Sequence, residues 1–105
     1  MKHDLSETCY GFFSTLANPT RLAILESLRE GSRNVTAISE ALEQEQSMVS
    51  HNLKPLERCG LVFIERRGRE KVYSLNRKTV ETIFTAVEHH AENFCPAKGR
   101  CEHSR

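Results

Sequence analysis

The sequence predicts one mainly α-helical domain that contains a small β-hairpin, with its elements in the order α-α-α-α-β-β-α. Three observations carry this prediction. Apolar residues recur at helical spacing over the first 58 positions, take the period of a strand within residues 61–75, and return to helical spacing up to Phe94. A chain of 105 residues, of which 38% are apolar and 28% charged, has room for one domain with one modest core.

The composition also excludes two classes of protein. No apolar run approaches the roughly 20 residues that a membrane-spanning helix needs. Residues 1–4 lead into an amphipathic stretch rather than the apolar segment of a secretion signal. We therefore expect a cytoplasmic protein, in which the four cysteines serve as thiols, metal ligands or redox sensors rather than as structural disulfides.

Two helices are predicted in the first third of the chain. The first covers residues 6–16 with Ser6 as its N-cap, and the second begins at Pro19, after the capping residue Asn18, and stops at Gly31. Their apolar positions are Cys9, Phe12, Phe13 and Leu16 in the first helix and Leu22, Ile24, Leu25 and Leu28 in the second.

Two shorter helices follow, over residues 35–42 and 47–58, joined by a brief connection through Gln44 and Glu45. Gly60 supplies the left-handed conformation that ends the second of this pair. The positions expected to face the core are Val35, Ile38, Ala41 and Leu42 in one helix and Val49, Leu53 and Leu56 in the other.

A β-hairpin and a final helix complete the domain. Strands are predicted at residues 61–64 and 72–75, with a turn over residues 66–71 centred on Gly68. The final helix starts near Lys78. Its apolar stripe consists of Val80, Ile83, Phe84, Val87, Ala91 and Phe94.

Positive charge is concentrated in the middle of the chain, although the net charge is only +1. Residues 45–78 carry eight Lys and Arg against four Asp and Glu, a balance of +4, whereas residues 1–44 and 79–105 have balances of −2 and −1. A basic surface on a near-neutral protein suits a polyanionic partner. The alternative is an ordinary solvated charged face.

Two short helices followed by a basic hairpin form the layout of a winged helix-turn-helix, which binds DNA. The inward positions of the second helix leave polar side chains facing outwards, and these suit base edges and phosphates. They are Gln46, Ser47, Ser50, His51 and Lys54. The hairpin adds the cations Arg66, Arg67, Arg69 and Lys71, which suit phosphate contacts. A solvated amphipathic helix would explain the helix alone, but not the hairpin.

Five motifs in this order and spacing resemble the ArsR/SmtB repressors. They are Ala17-Asn18-Pro19-Thr20-Arg21, Ser50-His51-Asn52-Leu53-Lys54, Leu56-Glu57-Arg58-Cys59-Gly60-Leu61-Val62, Arg67-Gly68-Arg69 and Val72-Tyr73-Ser74-Leu75. The resemblance covers residues 10–92, with Asn18 where the family usually has Asp, which is an equally good N-cap. It implies a homodimer built from the first and last helices, a palindromic DNA operator read by the fourth helix, and release of that operator on an inducing signal.

A dimer interface is also indicated by the residues themselves. The apolar stripe of the final helix, together with Phe12 and Phe13 of the first, exceeds what one small core needs. Such a surplus of apolar side chains is typical of an interface between subunits.

The resemblance also implies a metal or redox sensor, and the usual sites of the family can be tested position by position. The thiolate site ahead of the fourth helix needs Cys-x-Cys, but residues 34–37 contain no cysteine. The site on the final helix maps to Arg77, Thr79, His90 and Asn93, of which only His90 is a metal ligand. Neither site is complete.

The remaining donors lie around a polar tail, residues 95–105, which we separate from the folded domain, residues 1–94. Its candidate ligands are Cys95, Cys101 and His103, together with His90 and Cys9 of the partner subunit. Thiolates and imidazoles suit zinc or another thiophilic metal or metalloid ion. Two alternatives stay open, namely a tail whose cysteines have no role and a disulfide switch between Cys95 and Cys101.

The sequence therefore predicts a homodimeric, sequence-specific repressor that a metal or metalloid ion releases from DNA. The alternatives are a thiol-redox-responsive or ligand-independent repressor, and a winged helix used for protein–protein contact. We expect no enzyme, because no nucleophile is paired with a base and no glycine-rich loop is present to bind phosphate. Cys59 is expected to be a small buried residue that packs the fourth helix against the hairpin.

Overall fold

The computed structural model describes residues 4–95 and confirms the predicted order of elements. Their bounds are α1, Leu5–Leu16; α2, Pro19–Ser27, followed by a 3₁₀ turn at Leu28–Glu30; α3, Val35–Leu42; α4, Gln46–Arg58; β1, Val62–Arg67; β2, Glu70–Leu75; and α5, Arg77–Phe94. The tail lies outside the described residues except for Cys95, so the division at residue 94 stays a prediction.

Within residues 4–95, no helix combines the length and the apolar character needed to cross a lipid bilayer.

Side chains of Asp and Asn cap four of the described α-helices. Asp4 accepts a hydrogen bond from the Ser6 N–H, Asn18 from the Arg21 N–H, Asn34 from the Ala37 N–H and Asn76 from the Thr79 N–H. The predicted cap at Ser6 was wrong. Asp4 has the extended backbone of an N-cap and its carboxylate reaches the first turn, so that α1 begins one residue earlier than predicted.

The hairpin is longer than the sequence predicted. β1 and β2 pair antiparallel up to Arg67 and Glu70, which leaves Gly68 and Arg69 as a two-residue turn. Gly68 has a φ of 66°, as the first central residue of a type II′ turn requires. Arg69 thus stays in the turn, as predicted. The other charged residues of the predicted turn belong to the strands, because the hairpin extends past the core and both its faces are solvated there.

One hydrophobic core lies between α2, α3, α4 and the hairpin. Its fully buried side chains, with no exposed surface, are Ile24, Leu25, Leu28, Ile38, Val49 and Leu56. All six are among the positions predicted to face inwards. The prediction was wrong for Leu22 and Ala41, which are exposed because each lies at the edge of the apolar face of its helix. Phe12 of α1 and Ile83 and Phe84 of α5 are only partly buried against this core. The two outer helices thus cover the core from outside and keep an apolar surface of their own.

Polar contacts fasten the start of α5 to the rest of the domain. The Asn76 side chain donates to the Gly60 carbonyl oxygen at 2.8 Å. The Arg29 guanidinium donates to the Glu81 and Glu88 carboxylates and lies 5.3 Å from the centre of the Phe84 ring. The hydrogen bond to Glu88 is the main reason why the pKa of Arg29 is raised above its ordinary value, while partial burial lowers it. Arg29 therefore stays charged.

Candidate nucleic-acid interface

Helix α4, which we call the recognition helix, has one apolar and one polar face. Val49, Leu53 and Leu56 are buried, as the sequence predicted. The predicted DNA-binding residues lie on the opposite side. Gln46, Ser47, His51 and Lys54 are exposed, and Ser50 is half-buried. The helix thus presents amide, hydroxyl, imidazole and ammonium groups to solvent along its first two and a half turns, which is the chemistry that reads base edges and phosphates.

The recognition helix also differs from the other described helices at its N-terminus. Its N-cap residue is Glu45, whose side chain makes no capping hydrogen bond. The N–H groups of the first turn of any helix lack partners within the helix and carry partial positive charge. In α4 these groups stay without a side-chain acceptor next to Gln46 and Ser47, as suits a phosphate of the nucleic-acid backbone.

The start of α3 makes polar contacts both with the recognition helix and with the hairpin, and the sequence did not predict them. Gln46 Nε2 donates to Thr36 Oγ1 of α3 at 3.3 Å. The Asn34 side chain, which caps α3, also donates to the Glu70 carboxylate of β2. Thr36 is exposed beside Gln46 and so belongs to the candidate interface. A hydroxyl two residues after an N-cap was the only sequence signal for it.

The hairpin, which we call the wing (residues 62–75), divides its cations between two faces. Arg66 pairs with Lys71 across the strands and therefore shares a face with it. Arg67 lies on the other face, opposite Glu70, and its guanidinium contacts Glu65 at 3.1 Å. All four predicted wing cations, including Arg69 at the turn, are exposed. Because a neighbouring carboxylate offsets the charge of Arg67, the predicted wing cations with no such contact to Glu65 are Arg66, Arg69 and Lys71.

The candidate sensor residues are only partly within the described range. Cys9 on α1 and Cys95 at the end of α5 are half-buried, and His90 is exposed with its ring 5.2 Å from that of Phe94. Cys101 and His103 lie outside the described residues. Between Asp4 and Cys95, no group of three or more His, Cys, Asp and Glu side chains is placed to hold a metal ion.

The expectation for Cys59 was wrong. Its side chain is exposed at the end of the recognition helix rather than packed between helix and wing. Leu56 and Leu61 fill that contact, since both are fully or almost fully buried. The Cys59 N–H still bonds to the Pro55 carbonyl oxygen, so Cys59 continues the last turn of the helix. Its side chain lies on the exposed side, as those of Glu57 and Arg58 do.

An apolar groove lies between α1 and α5, on surfaces that the wing and the recognition helix do not occupy. It has a volume of about 470 Å³. Its lining includes Phe13, Leu16, Leu22, Ile83, Phe84 and Val87. Phe13 and Val87 are 56% and 59% exposed, which is unusual for large apolar side chains that share one concave surface. The predicted apolar surplus of the two helices is therefore confirmed for this chain.

Comparisons with known proteins agree with the geometry. Residues 18–62 match the model of the family described as "Bacterial regulatory protein, arsR family". The HTH-type transcriptional regulator NmtR of Mycobacterium tuberculosis is 45% identical over 79 residues, which are 75% of this chain and 66% of that protein. The transcriptional repressor SmtB homolog of Synechocystis is 33% identical over 92 residues, 88% of this chain and 70% of the relative. The chain thus spans slightly less than two thirds of NmtR.

A solved structure has the same architecture. The homodimeric winged helix-turn-helix DNA-binding domain of Mb0332 from Mycobacterium bovis superposes with a TM-score of 0.75 and 33% identity, over 84% of this chain and 82% of that one. The predicted winged helix-turn-helix is confirmed by this likeness. The prediction of a regulator rather than an enzyme is confirmed at the level of the family.

Proposed function

The chain belongs to the arsR family of bacterial regulatory proteins, and we propose that it acts as a homodimeric repressor that binds a palindromic DNA operator. The observation that carries this proposal is that the polar face of the recognition helix and the cations of the wing are both exposed in a winged helix-turn-helix. We assign base contacts to Ser50 and His51, in the middle of the helix, and phosphate contacts to Lys54 and to the wing cations. Its place of action is the cytoplasm, where such an operator lies.

The groove between α1 and α5 supports the homodimer. A second copy of the chain is its proposed occupant, because the Mb0332 domain of the same architecture is homodimeric. A two-fold dimer would bury Phe13 and Val87 of both subunits and hold two recognition helices at a fixed separation. Two half-sites about one helical turn of DNA apart would then be read together, which requires a palindromic operator.

Binding to duplex DNA at increasing salt tests this function. A protein that neutralises several phosphates loses affinity steeply as salt rises, with a slope of about −0.9 per phosphate in a log–log plot. We expect such a slope, together with a preference for palindromic duplexes recovered by selection from a random library. Flat, weak binding to all duplexes would contradict the proposal and favour the alternative of a winged helix used for protein–protein contact.

We further propose that a thiophilic metal or metalloid ion releases the repressor from DNA. The proposed ligands are Cys95, Cys101, His103 and His90, with Cys9 of the partner subunit as a further donor. The chemistry of these donors supports the proposal, since thiolates and imidazoles suit zinc, copper(I) and arsenic(III). Residues 4–95 do not form a metal site by themselves, so the proposal depends on Cys101 and His103.

The competing proposal is a thiol switch in which Cys95 and Cys101 lose two electrons and two protons to a mild oxidant and form a disulfide. One experiment separates the two. Metal content of protein purified without chelators, and operator affinity with added zinc, are compared with those of a Cys95→Ser/Cys101→Ser variant. Loss of both metal and zinc response in the variant supports the metal site. An operator affinity that ignores metal but falls on mild oxidation supports the disulfide.

A further inference from the structure

The recognition helix contains a buried polar side chain that the DNA-binding surface does not use. Asn52 is only 4% exposed and is the single buried polar residue between Asp4 and Cys95. Its neighbours along the chain are His51, on the exposed face, and Leu53, in the core. A buried amide is costly unless both its ends are bonded, so its partners should explain why it is there.

Both ends of the Asn52 amide have a partner. Its Nδ2 group donates to the Met48 carbonyl oxygen at 3.0 Å, within α4. Its Oδ1 atom accepts a hydrogen bond from Arg21 Nε of α2 at 3.1 Å. The same guanidinium donates through Nη1 to the Thr15 carbonyl oxygen at 3.2 Å, in the last turn of α1. The Arg21 guanidinium therefore bridges α1 and the recognition helix.

The backbone of Arg21 is held as well. Its N–H donates to the Asn18 side chain at 3.0 Å, the contact that caps α2. The guanidinium thus extends from a fixed position in the first turn of α2. Carbonyl groups in the last turn of a helix lack partners within the helix, so the bond to Thr15 also satisfies the end of α1.

We propose that Arg21 and Asn52 are positioning residues that set where the recognition helix lies relative to α1. Apolar contacts through Val49, Leu53 and Leu56 keep α4 on the core, but they are not directional. The two hydrogen bonds of the Arg21 guanidinium are directional, because each N–H must point at its acceptor. They therefore restrict sliding and rotation of α4 against the helix that leads to the proposed dimer groove.

This inference rests on the proposed homodimer, and it predicts how operator spacing is controlled. Because α1 lines the groove, a fixed distance from α1 to α4 fixes the separation of the two recognition helices in the dimer. Loss of the bridge should therefore relax the spacing between half-sites more than it changes the base preference within each half-site.

The test selects duplexes from a random-sequence library with the full chain and its variants. Arg21→Leu and Asn52→Leu each remove the bridge and keep apolar bulk. The matched control is Arg33→Leu, which also removes one positive charge and one half-buried guanidinium. Arg33 donates to the Ser27 carbonyl oxygen at 2.9 Å, and its further partners are Glu30 and Tyr73, all outside the recognition helix.

We expect both bridge variants to lose about tenfold in affinity for the duplex that the wild type selects, as loss of one or two hydrogen bonds implies. Both should also accept half-site spacings changed by one base pair, whereas Arg33→Leu should keep the wild-type spacing. Asn52→Asp retains the acceptor for Arg21 and loses only the donor to the Met48 carbonyl oxygen within α4, so it should lower stability but keep that spacing. If the bridge variants kept wild-type affinity and spacing, the positioning role of Arg21 and Asn52 would be wrong, while the proposed function would stand. A wild type that selects no duplex would overturn the proposed function and this inference with it.

A measurement on the wild type covers the case in which the leucine variants fail to fold. The Arg21 Nε–H should exchange with solvent more slowly than that of exposed Arg69, because it is bonded to a buried acceptor. Equal exchange rates at the two side chains would contradict the bridge.

Discussion

The recognition helix with its wing and the outer helices α1 and α5 differ in what they leave exposed. The first region buries most of its apolar residues, such as Leu53 at 2% exposure, and presents mainly amides, hydroxyls and cations, with Met48 and Phe63 as its exposed large apolar side chains. The second leaves Phe13 and Val87 more than half exposed. This difference indicates two partners of different chemistry, each on a surface of its own. A polyanion suits the polar region, and a second apolar surface suits the groove.

The largest expected effect on stability comes from a buried residue of the recognition helix. Leu53→Ala should lower the free energy of unfolding by about 2–5 kcal/mol, because it removes buried methyl groups and leaves a cavity under the recognition helix. Denaturant unfolding measures this change. Val87→Ala is the control from the other region. Its effect on the unfolding of the monomer should stay within about 0.5 kcal/mol, since Val87 is exposed there.

A charge in the groove should break the dimer without unfolding the subunit. Phe13→Asp is expected to weaken dimerisation about 30-fold or more, as loss of an aromatic anchor from an interface typically does. Sedimentation equilibrium checks this. Phe63→Asp is the matched control, because Phe63 is 53% exposed on β1, away from the groove. If Phe63→Asp dissociates the dimer and Phe13→Asp does not, the proposed interface is on the wrong side.

Sequence preference should depend on the middle of the recognition helix. Ser50→Ala or His51→Ala is expected to reduce discrimination at one base-pair position by about 1–3 kcal/mol and to leave non-specific binding almost unchanged. Competition between the selected duplex and single-base variants of it measures the effect. A uniform loss over all duplexes would instead assign these residues to phosphate contacts.

Substitutions in the wing should weaken binding to all duplexes alike, and those on one face should have a larger effect than those on the other. Arg66→Ala combined with Lys71→Ala should lower the salt slope by about two, one for each phosphate contact. Arg67→Ala should lower it by less than one, because Glu65 already offsets this charge. Binding isotherms at several salt concentrations check both values. If each cation on either face lowered the salt slope by the same amount, the two faces would not differ in phosphate binding.

The sequence predicted most of the local structure, because local signals determine it. Asn18 and Pro19 mark the start of α2, Gly60 with a φ of 76° marks the end of α4, and the inward positions of α4 follow from helical spacing. Errors occurred where two local signals compete. Asp4 and Ser6 are both good N-caps, and only the backbone conformation distinguishes them. Charged residues in the wing indicated a turn, yet all of them except Arg69 continue the strands.

Contacts between distant residues could not be predicted in this way. The bond from Arg21 to Asn52 joins positions 31 apart, and nothing in the spacing of polar residues indicates it. The link from Asn34 to Glu70 joins positions 36 apart. The exposure of Cys59 also depends on how Leu56 and Leu61 fill the space between α4 and the wing. Such pairings depend on the path of the whole chain.

The sequence by itself therefore determined the order of elements, the polar face of the recognition helix and the cationic hairpin, since helical and strand periods, caps and glycines act over a few residues. Only the tertiary structure decided which wing cations share a face, where the apolar surplus of α1 and α5 collects, and how Arg21 holds the recognition helix. These features arise when distant segments pack, and directional hydrogen bonds and groove shape exist only after packing has brought them together.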